Sequence, residues 1–125
     1  FSYMDGRLEF LQAVPSVAEP GGVSNSGADL HLAPDGRFLY VSNRGQDSIT
    51  VFSVQADGTL QLVQAVGCGG RTPRNFALDP TGGWVLVGNQ DSDSIAVFKR
   101  DVQSGRLALE NKAFAPTPVS LLFRA

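Results

Sequence analysis

Short apolar runs recur along this chain, each bounded by residues that reverse its direction. Leu30 and Leu32 alternate with Asp29 and His31, Phe38 to Val41 is a second run of strand formers, Ile49 to Val54 alternates again, and Leu60 to Val63 closes the set. Between the runs stand Pro34-Asp35-Gly36, the polar stretch Asn43 to Ser48, and Asp57-Gly58, all with turn chemistry. The pattern predicts four short antiparallel strands over about forty residues.

The same pattern then returns 46 residues later, with Pro80 over Pro34, Asn89 over Asn43, and Ile95, Val97 and Phe98 over Ile49, Val51 and Phe52. A period of roughly 40–50 residues with four strands per unit is the mark of propeller blades, which bury their faces by stacking on one another. The predicted class is therefore all-β, built of β-propeller blades of four antiparallel strands. Full blades are expected over 28–70 and 74–115. Residues 1–27 read as the end of an earlier blade and a connection, since Phe1-Ser2 matches Phe52-Ser53 and Asp5-Gly6 matches Asp57-Gly58, with Leu8, Phe10 and Leu11 on an outer strand. Residues 117–125 read as the inner strand of a closing blade, because Pro118 to Phe123 matches Pro73 to Leu78.

Length conflicts with that architecture. A propeller closes with about four to eight blades, and the 125 residues supply two whole blades and two partial ones. The chain is expected to be the C-terminal part of a larger propeller, and to self-associate or need further blades when alone.

Composition removes several functions. With 42% apolar residues and a net charge of −2 the chain is an ordinary soluble domain with no basic stripe, so nucleic acid is not an expected partner. No run approaches the roughly 18 apolar residues of a membrane span, and no membrane partner is expected. The lone Cys68 excludes an internal disulfide and favours a cytoplasmic setting. His31 is the only histidine, and Asp47, Asp91 and Asp93 lie in reversals where Asp caps its own turn, so neither a metal nor another cofactor is expected.

Topology locates the candidate chemistry. In an up-and-down blade the Asp-Gly turns share one rim, and the other rim carries the starts of first strands and the ends of second strands. Arg44, Arg71 and Arg74 gather on that second rim, with Asn43, Asn89 and Gln90 beside them. His31 is expected two to four residues into its strand, about 10 Å below them. Guanidinium groups pair carboxylate or phosphate bidentately and stay charged, which suits a small anionic ligand. Arg44 and His31 are the catalytic candidates, and Arg74, Asn43 and Gln90 the substrate-binding ones. The competing roles are braces: arginines bonding loop carbonyls, amides holding turns, and a histidine hydrogen-bonded between blades.

Ala28-Asp29-Leu30-His31, Pro34-Asp35-Gly36-Arg37, Ser42-Asn43-Arg44, Pro73-Arg74-Asn75-Phe76 and Gly88-Asn89-Gln90 together resemble the C-terminal part of the seven-bladed propeller lactonases. That family includes propeller-type 6-phosphogluconolactonases and is similar to carboxymuconate-lactonising enzymes. The resemblance implies hydrolysis of a small anionic sugar lactone such as 6-phosphogluconolactone, with His31, Arg44 and Arg74 near one mouth of the central channel. It also implies that a histidine and a glutamate from earlier blades take part, and neither has a counterpart here. The alternatives are lactonisation of a carboxymuconate-like dicarboxylate, or a non-catalytic propeller used as an interaction platform.

Overall fold

The computed structural model describes residues 2–16 and 26–123. Most of the connection expected ahead of the first full blade therefore lies outside the described residues.

The predicted alternation forms strands throughout. Strands β3 (Ser26–Leu32), β4 (Phe38–Arg44), β5 (Ser48–Val54) and β6 (Leu60–Gly67) make one antiparallel sheet in simple order. Strands β7 (Pro73–Leu78), β8 (Trp84–Asn89), β9 (Ser94–Arg100) and β10 (Leu107–Phe114) make a second with the same meander, while β1 (Ser2–Met4) and β2 (Arg7–Glu9) form a hairpin. Both inner strands carry a bulge in the same place, between Gly27 and Leu30 in β3 and between Pro73 and Asn75 in β7. A bulge re-aims the neighbouring side chains, and here it sits beside Asp29 and Asn75. The two sheets are the blades the repeat predicts, and the all-β class is borne out.

Alternation decides what each sheet buries. Phe38 and Tyr40 on β4 project toward the second sheet and are buried, whereas Leu39 and Val41 on the opposite face are only partly covered. On β8 the register is complementary, with Val85 and Val87 buried and Trp84 exposed. Phe76 of β7 completes this interface, and each such side chain contributes about 1.5–3 kcal/mol on burial. The outward faces stay apolar: Leu30 and Leu32 are 60% and 56% exposed, and Phe114 is 81% exposed.

Three polar braces each occur twice, at successive junctions. The Gln12 amide donates to Leu60 O (3.3 Å) and accepts from Leu60 N (2.7 Å), and the Gln64 amide does the same with Leu107 O (3.1 Å) and Leu107 N (2.8 Å). Asn43 Nδ2 donates to Ser16 O (2.9 Å), and Asn89 Nδ2 to Cys68 O (3.0 Å). Asp47 accepts from Thr72 N (2.9 Å), and Asp93 from Thr117 N (2.8 Å). These two aspartates bind the entry to the next blade rather than capping their own turns, because the turn's left-handed residue is the aspartate itself, at φ 50° and 49°. Asp91 instead ties the entry of its own blade, accepting from the Thr72 hydroxyl at 2.5 Å.

On the Asp-Gly rim the braces differ. Arg100 is 4% exposed; its Nε donates to Tyr40 Oη (2.6 Å) and its Nη1 to Gly82 O (3.0 Å), while Tyr40 Oη donates to Gly105 O (2.6 Å). Burial raises the Tyr40 pKa, partly offset by the Arg100 hydrogen bond. Gly105 is required twice over, by its φ of 75° and by Phe38, which leaves no room for a Cβ.

The segment after β10 has no sheet partner among the described residues. Thr117 to Phe123 forms no ladder, and Leu121 N donates instead to the Asn75 side chain at 2.6 Å. A strand exists only through a neighbour's backbone, and among the described residues no strand pairs its backbone with this segment.

Candidate functional site

The ends of β4 and β8 and the starts of β3 and β7 meet on one rim, fixed by the pairings Ser26 with Arg44 and Pro73 with Asn89. Arg44 is half-buried there, with Nη2 donating to Gly27 O at 3.3 Å and Nε buried without a partner among the described residues. Arg74 is the second residue of β7, is exposed, and has no side-chain hydrogen bond or ion pair among the described residues. Gln90 begins a 3-10 turn (Gln90–Ser92), held by its backbone N–H donating to Thr72 O at 2.9 Å, with its amide uncommitted among the described residues. Arg71 shares the rim but spends its guanidinium on Asp91 O at 3.0 Å. Thus the structure brings Arg44, Arg74 and Gln90 to one rim.

Asn43 lies beneath them, fully buried. Its Nδ2 donates to Ser16 O (2.9 Å) and approaches Thr50 Oγ1 (3.0 Å) and Ser48 Oγ (3.3 Å), so only Oδ1 lacks a partner.

His31 is farther from the arginines than the sequence predicts. Strand β3 begins at Ser26, two residues before the expected start, and His31 pairs with Tyr40, four residues along β4 from Arg44. At about 3.3 Å per residue the two backbones are about 13 Å apart along the strand. A group held by Arg44 therefore meets His31 only by extending along β3 and β4.

The surroundings of His31 hold two residues that the sequence reading passed over. Asp29 Oδ2 accepts from His31 Nε2 at 3.0 Å, from Asn75 Nδ2 at 2.7 Å and from Phe76 N at 3.3 Å. The Asp29 Oδ1 accepts from Leu30 N at 2.9 Å. The signal was present: residues two apart on a strand share a face, and Asn75 is the 46-residue equivalent of Asp29. The His31 ring also meets Phe76 edge-on, with centroids 4.8 Å apart at 78°. Beside it opens a cavity of about 310 Å³ lined by Leu32, Ala77, Leu78, Asp79 and Leu121 among others. Among the described residues no cluster of His, Cys, Asp and Glu could hold a metal ion, and no helix is long and apolar enough to cross a membrane.

Comparisons with known proteins agree with this fold. A family model described as "Lactonase, 7-bladed beta-propeller" matches residues 1–123. A 6-phosphogluconolactonase of Formosa agariphila is 43% identical over 86% of the chain and 31% of its own length, and one of Bacillus subtilis is 38% identical over 94% of the chain and 34% of its own. The solved periplasmic gluconolactonase of Pseudomonas aeruginosa superposes with a TM-score of 0.90 at 40% identity, over 97% of this chain and 34% of that one. The chain thus spans about a third of the length of the relatives it matches. On the fold, the repeat and these matches together, the chain belongs to the seven-bladed β-propeller lactonase family.

Proposed function

We propose that the full-length protein containing this chain hydrolyses a small anionic sugar lactone, with 6-phosphogluconolactone the leading candidate. The observation that carries the reading is the pair Arg44 and Arg74, two guanidinium groups on one rim with donors left for a ligand. Arg74 and Gln90 would hold the anionic substituent, Asn43 keeps only Oδ1 for a ligand, and Arg44 would stabilise charge developing on the carbonyl oxygen. Water adds to the lactone carbonyl carbon while its proton passes to a base, either His31 or a group from a blade outside this chain. The ring C–O bond then breaks, the ring oxygen takes a proton, and the open-chain acid leaves. The names of the matched relatives support hydrolysis. A cytoplasmic setting belongs to the same proposal, supported by the buried, unpaired Cys68.

The test is hydrolysis of 6-phosphogluconolactone by the purified full-length protein, measured above the spontaneous rate. Arg44→Ala should lower turnover by about 10²–10³-fold, the size of a lost oxyanion contact, at unchanged melting temperature. Arg74→Ala should raise KM more than it lowers kcat. Wild-type rates in both variants would remove the clamp and this reading with it.

A further inference from the structure

The geometry points to Asp29 as the positioning residue that sets the tautomer and ring angle of His31, presenting its Nδ1 as the proton acceptor. An ionised carboxylate only accepts hydrogen bonds, so the ring nitrogen 3.0 Å from Asp29 Oδ2 is the N–H. In a neutral imidazole the other nitrogen then carries the lone pair.

Asp29 is itself immobilised. Its Oδ2 takes Asn75 Nδ2 at 2.7 Å and Phe76 N at 3.3 Å, its Oδ1 takes Leu30 N at 2.9 Å, and Asn75 Oδ1 takes Leu121 N at 2.6 Å. A chain of hydrogen bonds therefore runs from His31 across β3 and β7 to the C-terminal segment, and Phe76 blocks rotation of the ring by edge-on contact. The repeat supplies a control. At the equivalent positions of the second blade stand Asn75 and Ala77, so the copy that lacks the imidazole also lacks the carboxylate. The ionisable groups around the ring are Asp29 on its own strand, Tyr40 opposite it on β4, and Asp79 just past the end of β7, where the cavity opens; the described part of the C-terminal segment adds none.

This inference rests on the lactonase reading only for the reaction that His31 serves. Its test is a long-range ¹H–¹⁵N spectrum of the full-length protein labelled with ¹⁵N-histidine, recorded at a pH where the imidazole is neutral. The His31 signals are assigned by their loss in His31→Gln. The expected wild-type state is Nε2–H, and Asp29→Ala, which removes the acceptor that holds it, should release the ring into a mixture of Nε2–H and Nδ1–H. The same variant should lower kcat by about 10²-fold, within the span of general acid–base catalysis, with KM changed less than threefold. A wild-type Nδ1–H ring overturns the inference without any variant, as does an Asp29→Ala protein that keeps both tautomer and kcat. If the full-length protein hydrolyses no lactone, the proposed function falls, and the tautomer measurement still decides the role of Asp29.

Discussion

The two blades are near copies in sequence and in fold, and they differ in what their polar side chains do. Polar residues present in both copies are spent on holding blades together: Asn43 and Asn89, and Asp47 and Asp93, bond backbone of an adjoining element, and Gln64, like Gln12 of the preceding hairpin, does the same at the outer strands. Those present in one copy fall into two kinds. Arg100 and Tyr40 form a buried knot whose bonded donors all go to the protein itself. Arg44, Arg74, His31 and Asp29 have as counterparts Gln90, Ala28, Ala77 and Asn75, and they gather on the rim or beside the cavity. Repetition is what stacking requires, because each junction must solve the same problem. A ligand needs one asymmetric site, so its residues are found where the copies part.

The largest effect should come from removing the neighbours altogether. Braces can act only where an adjoining blade exists, and Leu30, Leu32 and Phe114 lie on faces that this chain does not cover. The 125-residue chain expressed alone should self-associate, since exposed edges and apolar faces invite pairing, and should show no lactone hydrolysis. Light scattering together with a hydrolysis assay checks this. A stable, active monomer at micromolar concentration would mean that the repeated braces suffice by themselves.

Replacing a repeated residue should separate stability from activity. In the full-length protein Asn89→Ala removes the bond to Cys68 O, and an orphaned buried carbonyl costs about 1–3 kcal/mol. Its melting temperature should fall while kcat/KM stays within twofold. A selective loss of activity would make Asn89 part of the site and break the distinction between the copies.

Cys68 provides a pH-dependent probe of the same junction. Burial pushes its thiol up to about 11 from an ordinary value of 9.0. With the folded pKa raised, the unfolded chain loses the proton first, so stability is intact below pH 9 and declines as pH rises toward 11. At about 1.4 kcal/mol per unit the decline approaches 3 kcal/mol, and denaturant titrations of the wild type against Cys68→Ala should isolate it. Identical pH dependence in the two proteins would mean that the thiol is not sealed.

The smallest effect is expected at the outer clasp. Gln64→Ala deletes two exchanged hydrogen bonds to Leu107 that are only partly buried, worth about 1 kcal/mol together, with no change in kcat. A larger stability loss than that of Asn89→Ala would move the main inter-blade attachment from the inner to the outer strands.

Strand positions, turns, the 46-residue repeat and the rim carrying Arg44 and Arg74 were legible in the sequence. All of them follow from local alternation and turn chemistry, which neighbouring residues determine among themselves. What only the tertiary structure decided was the use of each polar group. Asn43 and Asn89 look like any turn amide until Ser16 O and Cys68 O, 27 and 21 residues away, are seen as their acceptors. Asp29 acquires its meaning from Asn75, 46 residues on. The segment at Pro118 to Phe123 repeats the pattern of β7 and still forms no ladder. Alternation fixes which face a side chain takes, whereas hydrogen bonds and ladders belong to pairs, and the second member of each pair is brought there by the stacking of blades.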